Sequence, residues 1–136
     1  MTVERNKDVV RKFCDCVSAR DVDGALSFLE DGGSWSVPYR DDCFQYGGLR
    51  YKEAERTMLK GFFGGFREFS FKITAILAEG DLVAIEAAST GVGPGTASYK
   101  NTYSMNFVMR DGQIHTIRER FDPFEVLEYA KQLPQG

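Results

Sequence analysis

A single glutamate near the end of the chain has surroundings in which a carboxylate can do chemistry. The segment "IHTIRERFD" at residues 114–122 reads as a β-strand, and its alternate residues are His115, Ile117, Glu119 and Phe121. Glu119 therefore shares a face with apolar side chains, whereas Arg118 and Arg120 mark the opposite, wet face. Burial raises the pKa of a carboxyl group, by up to about 3–5 units when it is complete. The pattern predicts a general acid or base that acts near neutral pH.

Structural explanations of the same residues remain open. Glu119 has two structural explanations, because charged groups are seldom buried without a partner. It is either a buried carboxylate with a hydrogen bond to Tyr103 that serves structure alone, or a side chain that reaches water at the mouth of a pocket. His115, the chain's single histidine, either packs on the core face or assists proton transfer. Asp122 is a second nearby carboxylate, and the capping of a following helix accounts for it.

The register of the last hairpin decides what faces Glu119. The apolar residues of its first strand stand at odd positions: Tyr99, Tyr103, Met105, Phe107 and Met109. A two-residue turn at Asp111-Gly112 would pair odd with even positions and set Arg118 and Arg120 against them. A three-residue loop over residues 110–112, with Gly112 left-handed at a bulge, pairs odd with odd and is the turn that we predict.

This register makes specific predictions about cross-strand neighbours. The expected pairs are Tyr103 with Glu119, Met105 with Ile117, Phe107 with His115 and Asn101 with Phe121. Tyr103 and Asn101 would then polarise a substrate oxygen as an oxyanion-stabilising pair. The structural alternative for both is a hydrogen bond to Glu119 or to the backbone.

The elements that position this hairpin follow from apolar periodicity. Helical spacing predicts a first helix over about residues 3–19, a short second helix capped by Asp21 and ended at Gly32-Gly33, and a third helix whose apolar stripe runs from Ala54 to Phe66. "SWSV" predicts a short strand, and residues 39–48 predict a loop over the pocket mouth. Four strands follow, "FSFKITAILA", "LVAIEAAST", "ASYKNTYSMNFVMR" and "IHTIRERF", before a last helix that Asp122-Pro123 opens.

Composition restricts the kinds of partner. The chain has 136 residues, of which 43% are apolar and 13% aromatic, and this is a globular composition. We predict one α+β domain over residues 1–136, because helices come first and antiparallel strands follow, with the helices on one face of a curled sheet. A net charge of -3 without a dense Lys or Arg stretch argues against nucleic acid and anionic membrane. The polar start "MTVERNKDVV" and three cysteines that cannot all pair favour a reduced, cytoplasmic setting. A single histidine argues against a zinc site.

Three stretches, "SWSVP", "AEGDLVAIEAASTG" and "DGQIHTIRERFD", resemble the SnoaL-like and limonene-1,2-epoxide-hydrolase-like families, and the order of elements is similar across nearly the whole chain. These families share the cone-shaped nuclear-transport-factor-2-like fold, in which a strongly bent, antiparallel or mixed sheet wraps around helices and encloses an apolar pocket. The resemblance implies a homodimer and cofactor-free acid–base chemistry on small apolar molecules. The many aromatic residues around the third helix, with the loop over the pocket mouth, suit an aromatic or polycyclic ligand.

The resemblance also transfers residue by residue, with departures. Glu119 falls where limonene epoxide hydrolase has a catalytic aspartate, but that enzyme's arginine and second aspartate fall at Ala87 and Ser89. Its tyrosine and asparagine fall near Ser34 and Ser36, so water attack on an epoxide by that machinery is not expected. We expect an isomerase, cyclase or lyase; the alternatives are a non-catalytic binding protein of the same fold and an epoxide hydrolase with a non-standard site.

The predicted site therefore has two groups of residues. The catalytic residues are Glu119, Tyr103 and His115, and the substrate-binding residues are Asn101, Ser89, Ala87, Ser36, Trp35, Met105, Ile117 and Phe62. A dimer would use the outer face of the sheet, where the polar residues are Lys100, Thr102, Ser104, Thr116 and Arg118.

Overall fold

The computed structural model describes residues 2–134, and within them helices precede and close a mixed sheet. The helices are α1 (Val3–Ser18), α2 (Val22–Leu26), α3 (Lys52–Phe63) and α4 (Pro123–Lys131). The strands are β1 (Leu29–Val37), β2 (Gly48–Tyr51), β3 (Glu68–Glu79), β4 (Leu82–Val92), β5 (Ser98–Arg110) and β6 (Gln113–Phe121). They form a sheet in the order β2-β1-β6-β5-β4-β3, in which β1 and β6 pair in parallel. The predicted α+β class is confirmed.

The helix starts are where the capping residues predicted them. Asp21 accepts a hydrogen bond from the backbone N–H of Gly24 at the start of α2, and Asp122 accepts one from Phe124 at the start of α4. These contacts satisfy N–H groups that have no partner inside the helix. The Asp122 carboxylate is thus engaged in capping, as its alternative explanation held.

The first two strands differ from the prediction. Helix α2 ends at Leu26, and Gly32-Gly33 lie inside β1, which begins at Leu29. The register of β1 on β6 shifts between Leu29 and Ser34, and a Cβ on Gly33 would come within 2.6 Å of a Leu29 side-chain carbon. The glycine therefore permits an irregular strand instead of ending a helix. Strand β2 was missed because its inward residue, Arg50, gives no apolar signal.

The core lies between the helices and the inner face of the sheet. Phe13 of α1 packs against Trp35 of β1 and Phe107 of β5, with ring centroids 5.5 and 5.6 Å apart. Val10, Phe13 and Leu26 are fully buried, so the N-terminal helices fill much of the space inside the curved sheet. Among residues 2–134, no helix is both long enough and apolar enough to cross a membrane.

The last hairpin has the predicted facing but not the predicted register. Arg110 pairs with Gln113 around a two-residue turn, in which Asp111 and Gly112 both have positive φ, of 52° and 81°. Positive φ at both turn residues matches the twist of the flanking strands. The bulge lies one step further along, where His115 is the extra residue between the pairs Met109–Ile114 and Val108–Thr116.

Between the turn and the bulge odd positions pair with even ones, and beyond the bulge odd positions pair with odd ones. The observed pairs are Phe107 with Ile117, Met105 with Glu119 and Tyr103 with Phe121. The predicted pairs of Tyr103 with Glu119, Met105 with Ile117, Phe107 with His115 and Asn101 with Phe121 are therefore wrong by a shift of two residues. Because side chains alternate with a period of two, such a shift keeps the same residues on the inner face.

Candidate active site

The inner face of the sheet borders a cavity of about 70 Å³. Its walls are largely aromatic and include Trp35, Phe62, Phe69, Phe71 and Phe121. Its polar members are Arg50, Glu119, Tyr46, Tyr99 and Tyr103. A few polar groups in an otherwise apolar cleft are typical of a small-molecule site.

Glu119 is the carboxylate of this cavity. Its Oε1 accepts a hydrogen bond from the indole Nε1 of Trp35 over 3.0 Å, and Met105 lies opposite it on β5. Burial raises the pKa of Glu119 to about 7, against the opposing effect of the Trp35 hydrogen bond. Glu55 also raises this pKa and Arg50 lowers it, so both charges lie near enough to act on Glu119. The carboxyl group is poised between its two protonation states near neutral pH.

Tyr103 is the second predicted catalytic residue that reaches the cavity. Its hydroxyl lies 2.8 Å from Oγ of Ser89 and 3.1 Å from the hydroxyl of Tyr99. Either partner can donate in both contacts, so Ser89 and Tyr99 can both donate to Tyr103 and leave its own proton for a ligand. Burial raises the pKa of Tyr103 well above its ordinary value, which keeps the phenol neutral and able to donate.

Asn101 has a structural position and not the predicted substrate contact. Its Nδ2 donates to the Tyr99 hydroxyl over 2.9 Å and to the Asp122 carbonyl over 3.0 Å, while Oδ1 accepts from the backbone N–H groups of Thr102 and Asp122. All of its hydrogen-bonding groups are engaged, and it is not among the residues that line the cavity. Its effect on the site is indirect, because it orients Tyr99.

The other predicted contact residues divide in the same way. Trp35, Phe62 and Met105 line the cavity. Ile117, Ala87 and Ser89 are buried beside it, within the sheet, and Ser36 projects from the opposite face of β1 to Trp35. Since alternate residues of a strand point to opposite faces, Ser36 cannot share the face of Trp35. The other predicted substrate-binding residues, Asn101, Ser89, Ala87, Ser36 and Ile117, are not among the residues that line the cavity.

His115 lies outside the cavity, and its predicted place on the catalytic face is wrong. As the extra residue of the bulge it leaves the inward alternation of β6, and its Nδ1 contacts Oε1 of Glu30. Glu30 also pairs with Arg110, and these neighbours hold the pKa of the Glu30 carboxyl below its ordinary value, the hydrogen bond with His115 being the larger cause. The pair belongs to the rim of the sheet near the hairpin turn.

A buried ion pair beside the cavity escaped sequence reasoning. Nε of Arg50 donates to Oε2 of Glu55 over 2.8 Å, and the side chain of Glu55 is 1% exposed. Burial raises the pKa of Glu55, and Arg50 opposes this shift. A signal was present in the sequence, since Glu55 stands four and eight residues before Leu59 and Phe63 on one face of α3.

The predicted loop over residues 39–48 borders the cavity. The Tyr39 hydroxyl accepts a hydrogen bond from the backbone N–H of Phe121 over 3.1 Å, and Phe44 packs against Phe121 with ring centroids 5.8 Å apart. Tyr46 continues the contact to Phe62 on α3, at 5.6 Å. The loop thus closes an aromatic wall at one end of the cavity.

In the part of the chain that the structure describes, no three His, Cys, Asp or Glu side chains gather as a metal site requires.

Comparison with known proteins gives one family. The sequence pattern of the SnoaL-like domain matches residues 10–117. The chain is also 27% identical over 103 residues to UPF0523 protein C of Dictyostelium discoideum, which covers 74% of this chain and 66% of that protein. The chain thus spans slightly less than two thirds of that relative's length.

Three solved structures with a similar fold were compared with this chain. TerC, co-crystallised with polyporic acid, has a TM-score of 0.80 at 17% identity, over 94% of this chain and 99% of that chain. IdmH from Streptomyces antibioticus, a proposed polyketide cyclase, has a TM-score of 0.75 at 16% identity, over 93% of this chain and 98% of that chain. An LEH-like epoxide hydrolase from M. tuberculosis has a TM-score of 0.70 at 21% identity, over 93% of this chain and 90% of that chain. At these identities the similarity is one of fold.

Proposed function

The chain belongs to the SnoaL-like domain family and has its cone-shaped, nuclear-transport-factor-2-like fold, and we propose that it is a cofactor-free acid–base enzyme. In this proposal it is an isomerase, cyclase or lyase that acts on a small apolar molecule in the internal cavity. Glu119 moves the proton, and Tyr103 donates a hydrogen bond to a substrate oxygen.

The observation that carries this proposal is the environment of Glu119. Its carboxyl group faces an aromatic cavity, has the single hydrogen-bond donor Trp35 among the described residues, and has a pKa raised to about 7 by burial. A proton carrier is most effective when its pKa lies near the working pH. A carboxyl group kept for structure alone would gain more from several donors, which would lower its pKa.

One carboxyl group suffices for the proposed reactions. Deprotonated Glu119 takes a proton from a carbon beside a carbonyl group; the electron pair of the broken C–H bond forms a C=C bond, and the π pair of the carbonyl group moves onto its oxygen. In a β,γ-unsaturated ketone, return of the proton to the γ carbon moves the double bond into conjugation. In a β-hydroxy ketone, the enolate electrons form a new C=C bond as hydroxide leaves, and the proton from Glu119 converts that hydroxide to water. Attack of the enolate carbon on a second carbonyl group, followed by protonation of the new alkoxide, closes a ring. Each sequence restores the Glu119 carboxylate.

The Tyr103 phenol fits the oxygen that gains charge in these steps. Ser89 and Tyr99 lie within hydrogen-bond distance of its hydroxyl group and fix its position. A fixed donor stabilises a developing oxyanion without reorganising during the reaction. Hydrolysis of an epoxide is less well supported, because Ala87 and Ser89 supply no second carboxylate and no arginine at those positions.

The size of the cavity limits the substrate. A volume of about 70 Å³ is about half that of an engineered apolar cavity, of roughly 150 Å³, that binds benzene. A substrate of one ring therefore requires the aromatic side chains at the loop end, such as Tyr46 and Phe62, to move apart. The volume favours a single ring over a polycyclic substrate.

The test is Glu119→Gln, which keeps the shape and the acceptor for Trp35 but cannot transfer a proton. With a substrate found by screening small enolisable ketones, turnover should fall roughly 100- to 10,000-fold while the melting curve stays cooperative. The matched control is His115→Gln, outside the cavity, which should retain parental turnover. A Glu119→Gln variant with parental turnover would show that the carboxyl group is structural and that the acid–base proposal fails.

We also propose that the chain forms a homodimer through the outer face of the sheet. Lys100, Thr102, Ser104 and Arg118 are exposed there, as predicted from their even positions. Leu77 and Leu82 are 73% and 44% exposed on the same side of the sheet. These two leucines lie near the turn between β3 and β4, at one edge of the face, where exposed apolar side chains on an otherwise polar surface favour contact with a second copy.

A reduced, cytoplasmic setting is consistent with the cysteines. Cys14, Cys16 and Cys43 are all free thiols. Burial raises the pKa of Cys14 to about 12, which leaves that thiol protonated and unreactive. We propose the cytoplasm as the working compartment on this ground.

A further inference from the structure

The inner face of the sheet carries a row of three polar groups from neighbouring strands. Arg50 of β2 pairs directly with Trp35 of β1, and Trp35 in turn reaches across to Glu119 of β6. Neighbouring strands are about 4.8 Å apart, so β2 and β6 are about 10 Å apart, on either side of Trp35. Arg50 and Glu119 both line the cavity, and a small ligand between them can touch both.

The Arg50 guanidinium is held rigidly. Besides its contact with Glu55, Nη1 donates to the Gly47 carbonyl over 3.1 Å and Nη2 donates to the Tyr46 carbonyl over 2.7 Å. A guanidinium group has five N–H donors. Three are used, so one N–H on each Nη has no acceptor among residues 2–134. The side chain lines the cavity and is 16% exposed, so these donors are open to water or to a ligand.

Stability alone does not explain this pair. Ion pairs taken out of water lose about as much hydration as they gain in attraction, and apolar replacements of equal volume are often neutral. Glu55 offsets the charge of Arg50 and fixes its orientation. We infer that Arg50 is a specificity-determining residue that binds an acceptor oxygen of the substrate, with Glu55 as its positioning residue.

The charges of the cavity define which oxygen is accepted. Arg50 is already paired with Glu55, and Glu119 adds a second carboxyl group nearby. A permanently anionic ligand would therefore meet an excess of negative charge, whereas a carbonyl oxygen meets only the two N–H donors. The two carboxyl groups thus select neutral carbonyl compounds over carboxylates, and Arg50 supplies the donors for the carbonyl oxygen. This inference rests on the proposed function only in calling the ligand a substrate.

The experiment uses three fluorinated probes and fluorine NMR titration. The first, 4-fluorobenzaldehyde, has an acceptor oxygen, the second, 4-fluorostyrene, has the same shape without it, and the third, 4-fluorobenzoate, is anionic. The parent protein should bind the aldehyde roughly 10- to 100-fold more tightly than the styrene, as expected for a hydrogen bond to a charged donor. It should bind the benzoate more weakly than the aldehyde. A parent without these preferences overturns the inference.

The variant is Arg50→Met combined with Glu55→Met, because removal of Arg50 alone leaves a buried carboxylate without a partner and endangers folding. Its preference for the aldehyde over the styrene should drop by about tenfold or more, with styrene binding unchanged. Equal weakening of both probes would identify Arg50 as a clamp of the loop only, and retention of the preference would assign the oxygen to Tyr103; either result overturns the inference. Arg40→Met, a loop arginine paired with exposed Asp42, is the control and should bind like the parent.

These outcomes are independent of the acid–base proposal. Probe binding requires no turnover, so it can succeed where Glu119→Gln shows that the carboxyl group is structural. The converse result is also possible. Turnover can depend on Glu119 while the double variant keeps the parental probe preference. The enzyme proposal would then hold, and the role inferred for Arg50 would be wrong.

Discussion

Trp35 donates its indole N–H to the Glu119 carboxyl group over 3.0 Å, although 84 positions separate the two residues in the chain. The contact exists because β1 runs parallel to β6 and sets Trp35 beside Ile117, two residues before Glu119. This donor favours the charged carboxylate, and burial opposes it more strongly, which leaves the pKa at about 7. The protonation state of Glu119 therefore depends first on burial and second on this contact across strands.

The first prediction concerns the titration of Glu119. Carbon NMR of the labelled carboxyl group should show a midpoint near 7, and kcat/KM should rise with pH through the same midpoint if the carboxylate is the base. Trp35→Phe removes the hydrogen bond that lowers the pKa, so the midpoint should move to higher pH. A midpoint at the ordinary value of 4.5 in the parent would contradict the described environment.

The second prediction follows from the same pKa through stability. Below pH 4.5 the carboxyl group is neutral in the folded and unfolded chains; as pH rises, the unfolded chain ionises first and folding is progressively disfavoured until the folded pKa of about 7 is passed. The shift corresponds to roughly 3 kcal/mol. Glu119→Gln does not titrate, so it should gain up to this much over the parent at pH 8 and little at pH 4.

Urea denaturation of both proteins across this range measures the difference. Glu55 is present in both chains, and its burial affects both proteins alike, so only its charge interaction with Glu119 differs between them. A stability difference between the two proteins that does not change with pH would mean that the pKa of Glu119 is the same in the folded and unfolded chains. Burial would then not be the dominant effect on its pKa.

The third prediction separates the roles of Tyr103 and Ser89. Tyr103→Phe removes the proposed donor and should lower turnover roughly 100- to 1,000-fold, as the loss of one oxyanion donor does in other enzymes. Ser89→Ala removes only a neighbour of the phenol and should cost less than about tenfold. Steady-state kinetics with melting curves check both. Equal losses in the two variants would indicate that the hydrogen-bonded cluster is needed only for packing.

The fourth prediction concerns assembly. Light scattering at micromolar concentration should give twice the chain mass of 15.3 kDa. Leu77→Glu places a charge at an exposed apolar position of the outer sheet face and should dissociate the dimer. Phe124→Glu, at a similarly exposed position on α4, is the matched control and should leave the mass unchanged. A parent of 15.3 kDa would refute the dimer.

Sequence alone determined which residues face inward on the later strands. The odd apolar residues of β5 and the row Ile117, Glu119 and Phe121 of β6 lie on the inner side, as their alternation predicts. The reason is local, because a strand has a side-chain period of two and the apolar face must leave water. Capping at Asp21 and Asp122 was predictable for an equally local reason.

Only the tertiary structure decided which inward residues meet. A period of two cannot distinguish registers that differ by two residues, so the position of the bulge, at His115 and not in the turn, set Met105 and not Tyr103 opposite Glu119. The parallel pairing of β1 with β6 brought Trp35 to the carboxyl group, and the edge strand β2 brought Arg50 to Glu55. These contacts join segments that are far apart in the chain, and the sequence of one segment does not indicate which other segment it will meet. The free energy of packing the whole core selects the pairing.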